Sequence, residues 1–228
     1  MPNNDLADRL AHAARTLQLE GDPRRTLEEA VRLAVDMIDG CDEIGVSMVR
    51  RNNRVETPVA TGASARRGDE LQYELGEGPC LDAIWRHSLV HSPDLGAEPR
   101  WPRWAPAASE QTGMRSLMSF QLFTTGHTLG AMNLYSRAAH AFSAIDEHVG
   151  TALAAHVAVA LAQATQIEQL NEAVTRRTMI GQAQGILMER FDIDADRAFQ
   201  VLVRVSQQRN VKLHDVATEV VTTRRTPE

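Results

Sequence analysis

The chain holds two thiols, Cys41 and Cys80, in 228 residues. Cys80 follows Gly78-Pro79, where a helix is expected to begin. A thiol at a helix N-terminus can have a lowered pKa and react readily. A free cysteine is also among the residue types most often buried, as a small apolar group. The buried reading is the preferred one for Cys80, and Cys41, at an expected helix-to-strand junction, also reads as packed. Neither spacing makes a redox pair or a metal site, and two cysteines are too few for a disulfide framework. His87 and His91 lie four apart across an expected helix end and have no evident third ligand; His148 and His156 fall in a helical stretch. No glycine-rich phosphate loop, nucleophile elbow or zinc-hydrolase motif occurs. No catalytic residue, metal or cofactor is therefore expected.

Two other sets could do the chemistry of recognition. Arg176, Arg177, Gln184, Arg204, Arg209, Lys212 and His214 lie in the last third of the chain. Cations hold phosphates, and amides and planar groups read bases. Each arginine alone also reads as a solvated surface charge. Trp85, Trp101 and Trp104, with Cys80, are the candidates for lining a pocket that takes an unidentified small molecule.

Charge separates the two ends. From Leu170 on there are nine Lys and Arg against eight Asp and Glu, a balance of +1, and the preceding residues carry −7. A near-neutral tail on an acidic body permits nucleic-acid contact without demanding it. No stretch of eighteen apolar residues is present, so no membrane span is expected. The first ten residues lack the basic and apolar regions of a secretory signal. The expected location is the cytoplasm.

These residues must be held by a mixed set of elements. Leu6, Leu10, Ala13, Ala14 and Leu17 recur at helical spacing. Thr26 and Glu29 have the spacing of a capping box for a second helix to Ile38, with Pro23 as a stop before it. Ile44, Val46 and Met48 alternate as a half-buried strand does, and Val55 to Ala60 returns after the polar turn 51–54. Gly76 to Pro79 is turn chemistry, with a helix opening at Pro79. Ser116 to Phe123 and Leu129 to Tyr135 form a hairpin around Gly126. Strands in pairs with helices between them predict an α+β fold: an antiparallel sheet flanked by helices.

Beyond Phe142 the pattern is helical. Leu153, Val157, Ala160, Ala164, Ile167, Leu170 and Val174 make one narrow seam. Its first half is expected to pack on the sheet. Its second half, in the polar stretch Gln163 to Arg177, is expected to be a coiled-coil stalk between two subunits. A first helix to about Arg190, a second capped by Asp192 or Asp194 and running to about Gln208, a break at Asn210 and a third from about Lys212 to Thr223 then form a three-helix bundle.

The stretch 177–190, RTMIGQAQGILMER, followed by Ala198-Phe199, Ser206-Gln207 and 210–217, NVKLHDVA, resembles the ANTAR family. The resemblance implies a module that binds paired RNA hairpins and prevents transcription termination. Upstream, the stretches 41–47, CDEIGVS, 76–83, GEGPCLDA, 101–104, WPRW, and 129–136, LGAMNLYS, resemble GAF domains. That resemblance implies a sensor with a small-molecule pocket on one sheet face. The expected organisation is an N-terminal helical arm at 1–25, a GAF-like domain at 26–164, a helical linker at 165–178 and an ANTAR-like domain at 170–223.

On the first helix of that module, Ile180, Ala183, Leu187 and Phe191 share one face with Arg177 and Gln184. Two polar groups on an apolar stripe either meet RNA or snorkel to water at its rim. Gly181 and Gly185 would admit a second helix or a phosphate backbone, close helix packing being the preferred use. Family members commonly carry lysine at the position of Gln184 and arginine at that of His214, so this chain lacks two cations there. The expected function is a homodimeric, non-enzymatic, RNA-binding regulator of termination. Two alternatives are weighed. One is a methionine sulfoxide reductase-like redox enzyme, which the cysteine spacing opposes. The other is a DNA-binding helix-turn-helix, which Asp215 and Glu219 on the would-be recognition helix oppose.

Overall fold

The computed structural model of the protein describes residues 2–223, with side chains from Leu6 on. Its contacts divide into two compact units between Gln166 and Ile167.

In the first unit, α1 (Pro2–Leu19) is followed by α2 (Pro23–Met37). Asp22 caps α2 by accepting from the Arg25 N–H at 2.9 Å, with Pro23 in the first turn. The helix thus starts a turn earlier than the capping-box reading of Thr26 and Glu29. Asp22-Pro23 is itself a start signal, and Pro23 opens this helix instead of stopping the one before. Thr26 and Glu29 are instead buried, with the Thr26 hydroxyl donating to the Asp22 carbonyl at 2.9 Å and Glu29 paired to Arg32.

Five antiparallel strands form one sheet in the order β2-β1-β5-β4-β3. They are β1 (Glu43–Val49), β2 (Val55–Ala60), β3 (Leu89–Ser92), β4 (Ser116–Thr124) and β5 (His127–Ser136). The β1–β2 connection is a single 3₁₀ turn at Arg51–Asn53, with Asn52 and Asn53 at φ 62° and 57°. Asparagine adopts this left-handed backbone more readily than most residues.

Both sheet faces are covered, by two separate apolar cores. One holds α1, α2 and the first part of α6 (Ala144–Phe191) against Ile44, Val46, Met118, Phe120, Met132 and Leu134. The other holds α3 (Ala63–Leu75), α4 (Pro79–Trp85) and α5 (Trp104–Thr112) against Leu117, Ala131 and Tyr135. The strand β1 is accordingly buried on both faces, Gly45 and Ser47 included, where alternation had predicted a half-buried strand. Its place inside the sheet, under α3, accounts for the difference.

The second unit contains the remainder of α6 with α7 (Ala195–Arg209) and α8 (Leu213–Thr223). Asp194 caps α7, accepting from the Arg197 N–H at 2.7 Å, and Asn210 closes it at φ 50°. The core is Ala183 and Leu187 of α6, Ala198, Leu202 and Val205 of α7, and Val216, Ala217 and Val220 of α8. The apolar stripes read from the sequence are the ones that meet, except that Phe191, expected on the α6 stripe, is 47% exposed and outside this core.

Candidate functional site

The cations of the second unit fall into two groups. Arg176 is paired to Glu172 one turn back on α6, Arg209 at the end of α7 pairs with Glu219 of α8 at 2.8 Å, and His214 lies 3.0 Å from Asp215. Arg177, Arg204 and Lys212 are exposed and make no ion pair or side-chain hydrogen bond among the described residues. Arg209, Lys212 and His214 are brought together by the short α7–α8 turn, where the Ser206 hydroxyl donates to the Val211 carbonyl at 2.6 Å. Arg204 stands on the outer face of α7. Arg177 lies two turns before Gln184 on α6, about 10 Å along the axis.

Gln184 is only half exposed and has an internal task. Its amide nitrogen donates to the Ala195 carbonyl at 3.1 Å, tying α6 to the first turn of α7. The polar group on the apolar stripe is thus satisfied within the unit. The two glycines depart from their preferred reading of close helix packing: a Cβ on Gly181 or Gly185 would meet nothing within 4 Å. Among the described residues of the unit, none packs there.

The long seam of α6 changes character at the boundary between the units. Leu153, Val157, Ala160 and Ala164 are buried, whereas Ile167, Leu170 and Val174, next in the same series, are 38%, 58% and 64% exposed. The polar stretch around them leaves a bare apolar line on the helix surface.

In the first unit a hydrogen-bonded polar cluster fills the space between β1, β5 and α3. Asp69 of α3 is fully buried. It accepts from the Tyr135 hydroxyl at 2.6 Å, the Asn133 amide at 2.8 Å and the Thr57 hydroxyl at 2.9 Å. Ser119, Ser47 and Tyr73 extend the network, and Gln72 joins it to the backbone N–H of Cys80 at 2.7 Å. Gly45 makes room for it, since a Cβ there would lie 2.2 Å from the Asp69 carboxylate. Burial pushes the Asp69 carboxyl up to about 6, although its three donors pull the other way. Sequence reading missed this cluster. Its one available signal was an acid on the same helix face as Ala65 and Gln72.

Open space lies outside this cluster, on either side of α4. One cleft of about 550 Å³ is lined by Val55, Tyr73, Leu81 and Trp85, with Arg54 and Glu70 at its rim. A second, of about 500 Å³, is lined by Glu77, Leu81, Asp82, Trp85, Arg100 and Trp101. Trp85 is 49% exposed and belongs to both. Trp101 borders the second cleft but is itself only 3% exposed, with the Arg100 guanidinium stacked 4.3 Å from its ring centre. Of the four expected pocket residues, Trp85 and Trp101 line space. Cys80 and Trp104 do not: both are fully buried, and the Trp104 indole donates to the Gly68 carbonyl at 3.0 Å. Burial pushes the thiols of both Cys41 and Cys80 up to about 12, so neither is a thiolate near neutrality. Among the described residues no three His, Cys, Asp or Glu side chains gather where they could hold a metal ion. No described helix is long and apolar enough to cross a membrane.

Comparison with known proteins follows this division. The GAF domain family model matches residues 20–162 and the ANTAR domain model matches residues 168–221. No curated protein matches the chain. Among solved structures, free methionine-R-sulfoxide reductase from Neisseria meningitidis, in complex with its substrate, aligns with a TM-score of 0.57 at 17% identity, over 71% of this chain and 90% of that one. The GAF domain of the Acinetobacter phosphoenolpyruvate-protein phosphotransferase aligns at 0.56 and 14% identity, over 72% and 96%. A bacteriophytochrome from R. palustris aligns at 0.58 and 14% identity, over 89% and 47%. At these identities the likeness is one of fold alone.

Proposed function

Because this chain belongs to the GAF domain family and carries a C-terminal ANTAR domain, the pairing of a sensor with an RNA-binding antitermination module, we propose that it is a cytoplasmic homodimer that binds tandem RNA hairpins in nascent transcripts under the control of a small molecule. The observation that carries the RNA reading is the state of the cations. Arg177, Arg204 and Lys212 are exposed without a counter-charge in a unit whose other candidate cations are tied to acids. Unpaired guanidinium and ammonium groups can take phosphates without first breaking an ion pair. Gln184, through its bond to Ala195, acts by positioning α7. Arg176, Arg209 and His214 would reach RNA only by exchanging their present partners.

The bare line at Leu170 and Val174 supports a dimer. Two such lines paired across a two-fold axis would continue, between subunits, the seam that the first unit buries for itself. Trp85 and Trp101 are the proposed ligand-contacting residues of the sensor. A ligand there acts only if it favours one arrangement of α6 over another. The enzyme reading has the weaker support, since both thiols are held neutral by burial.

Gel-shift titration with a two-hairpin RNA, a scrambled RNA and duplex DNA tests the proposal. The hairpin RNA should bind at least tenfold more tightly than either control. Equal affinity for all three would remove it.

A further inference from the structure

The two clefts beside α4 differ in whether their charged groups are already engaged by the protein. We propose that the first cleft, lined by the start of β2, α3 and α4, is the site of a small zwitterion with a flat apolar body, of the class of an aromatic amino acid. Its carboxylate would lie on Arg54, its ammonium on Glu70 and its body on Trp85. The proposal rests on the sensor reading above and names the ligand class of that sensor.

Around the second cleft the charges have partners. Asp82 accepts from the Trp101 indole at 2.9 Å and pairs with Arg86 at 3.2 Å. Glu77 accepts from the backbone N–H groups of Arg103 and Trp104 at 2.6 and 2.9 Å. Arg100 is held by Glu98 at 2.6 Å and by the His91 carbonyl at 2.7 Å. A charged ligand there would have to displace one of these groups.

At the first cleft two opposite charges remain available. Arg54 is exposed, and its side chain makes no ion pair or hydrogen bond among the described residues. Its backbone is nonetheless held, because its carbonyl accepts from the Arg50 N–H at 2.7 Å and closes the turn before β2. Glu70 of α3 is half-buried, and its ion-pair partner is Arg67 at 3.6 Å. That guanidinium is already bound to Glu74 through two nitrogens, at 2.7 and 3.2 Å. Arg54 and Glu70 border the same space without pairing with each other.

The rest of the lining is apolar. The Tyr73 hydroxyl is engaged by Ser47 at 2.5 Å and Thr57 at 2.8 Å, so Tyr73 adds a ring and no free polar group. Val55 and Leu81 are half-buried, and Trp85 leaves half of its indole in the open with no partner for its N–H among the described residues. The volume of about 550 Å³ is that of a small-molecule site. A ligand that is only an anion would meet Arg54 but face repulsion from Glu70 and Glu74, and one that is only a cation would meet repulsion from Arg54. A neutral flat molecule would cover Trp85 while making no use of either charge. A zwitterion with a flat body meets Arg54, Glu70 and Trp85 together, through charge-assisted hydrogen bonds and stacking.

Calorimetric titration of the full chain tests this with L-phenylalanine and three probes that each lack one part. Phenethylamine lacks the carboxylate, 3-phenylpropanoate lacks the ammonium and glycine lacks the ring. L-Phenylalanine should bind saturably at millimolar concentration or below, and the other three more weakly by about tenfold or more. Arg54→Gln should weaken L-phenylalanine about tenfold and leave phenethylamine unchanged, and Glu70→Gln should weaken it equally and leave 3-phenylpropanoate unchanged. Trp85→Leu should weaken all three ring-bearing probes. Absence of saturable L-phenylalanine binding, or equal binding of a one-charge probe, overturns the zwitterion class; if that one-charge probe depends on Trp85, the sensor reading stands without it. If Arg54→Gln or Glu70→Gln binds L-phenylalanine as wild type does, the assignment to this cleft is wrong. If L-phenylalanine binds with the expected pattern but leaves the affinity for hairpin RNA unchanged, the site stands and small-molecule control of RNA binding falls.

Discussion

Tyr135 of β5 donates its phenolic proton to Asp69 of α3 at 2.6 Å, in the closed interior of the sensor unit. The carboxylate also receives Asn133 and Thr57, so one buried acid joins β2, β5 and α3.

That acid makes the unit's stability depend on pH. Its folded pKa of about 6 lies above the ordinary carboxyl value of about 3.9. The folded state therefore holds the proton more tightly than the unfolded chain. The stability this contributes is fully present below about pH 4 and is lost as pH rises through about 6, on the order of 3 kcal/mol in all. Asp69→Asn keeps a shape that can accept from Tyr135 and Asn133 but has no proton to lose. Denaturant melts from pH 4 to 7.5 should show the stability difference between wild type and this variant moving in the variant's favour as pH rises. A difference independent of pH would contradict the assignment.

Leu170→Glu combined with Val174→Glu should convert a dimer to a monomer, because both side chains lie on the uncovered seam of α6. Light scattering reads the mass. The thermal midpoint of the first unit should move little, as these residues contribute nothing to its core. A wild-type chain that is already monomeric at micromolar concentration would remove the stalk.

Arg177→Gln and Lys212→Gln should each weaken RNA binding severalfold. Each should also lower the slope of log affinity against log salt by about one, as expected for the loss of one phosphate contact. Both groups are exposed and unpaired, so circular dichroism melts should be unchanged. Gln184→Ala should behave in the opposite way. Losing its bond to Ala195 should cost about 1 kcal/mol of stability in the second unit, with weaker RNA binding following from a loosened α6–α7 joint.

The second unit was readable from sequence because its helices declare themselves locally. Asp194 before α7 and Asn210 after it mark the ends, and Ala198, Leu202 and Val205 recur on one face. The first unit was readable where a strand or helix carries an apolar period, as in α1 and β1, or its own punctuation, as at Gly78-Pro79. Helix α3 went unread because polar Asp69 and Gln72 occupy its buried face, which blurs the apolar period. The cluster around Asp69 draws its members from β1, β2, α3, β4 and β5, and only sheet pairing together with the packing of α3 on the sheet makes them neighbours. Spacing likewise placed Gln184 on the correct stripe of α6, but its partner, a backbone carbonyl eleven residues away, depends on the angle at which α7 returns.

Cys80 should resist alkylation in the native chain and react only on unfolding, since its thiol is fully buried and held neutral. Thiol-labelling mass spectrometry measures this directly. Rapid native labelling, together with cysteine-dependent turnover of free methionine sulfoxide that Cys80→Ser abolishes, would restore the enzyme reading.

The central claim concerns termination, and single-round transcription through a terminator preceded by two hairpins tests it most directly. Added wild-type protein should raise the fraction of full-length transcript in proportion to RNA occupancy, and the chain doubly substituted at Arg177→Gln and Lys212→Gln should need several times more protein for the same effect. An unchanged full-length fraction at concentrations that saturate the RNA would contradict the account.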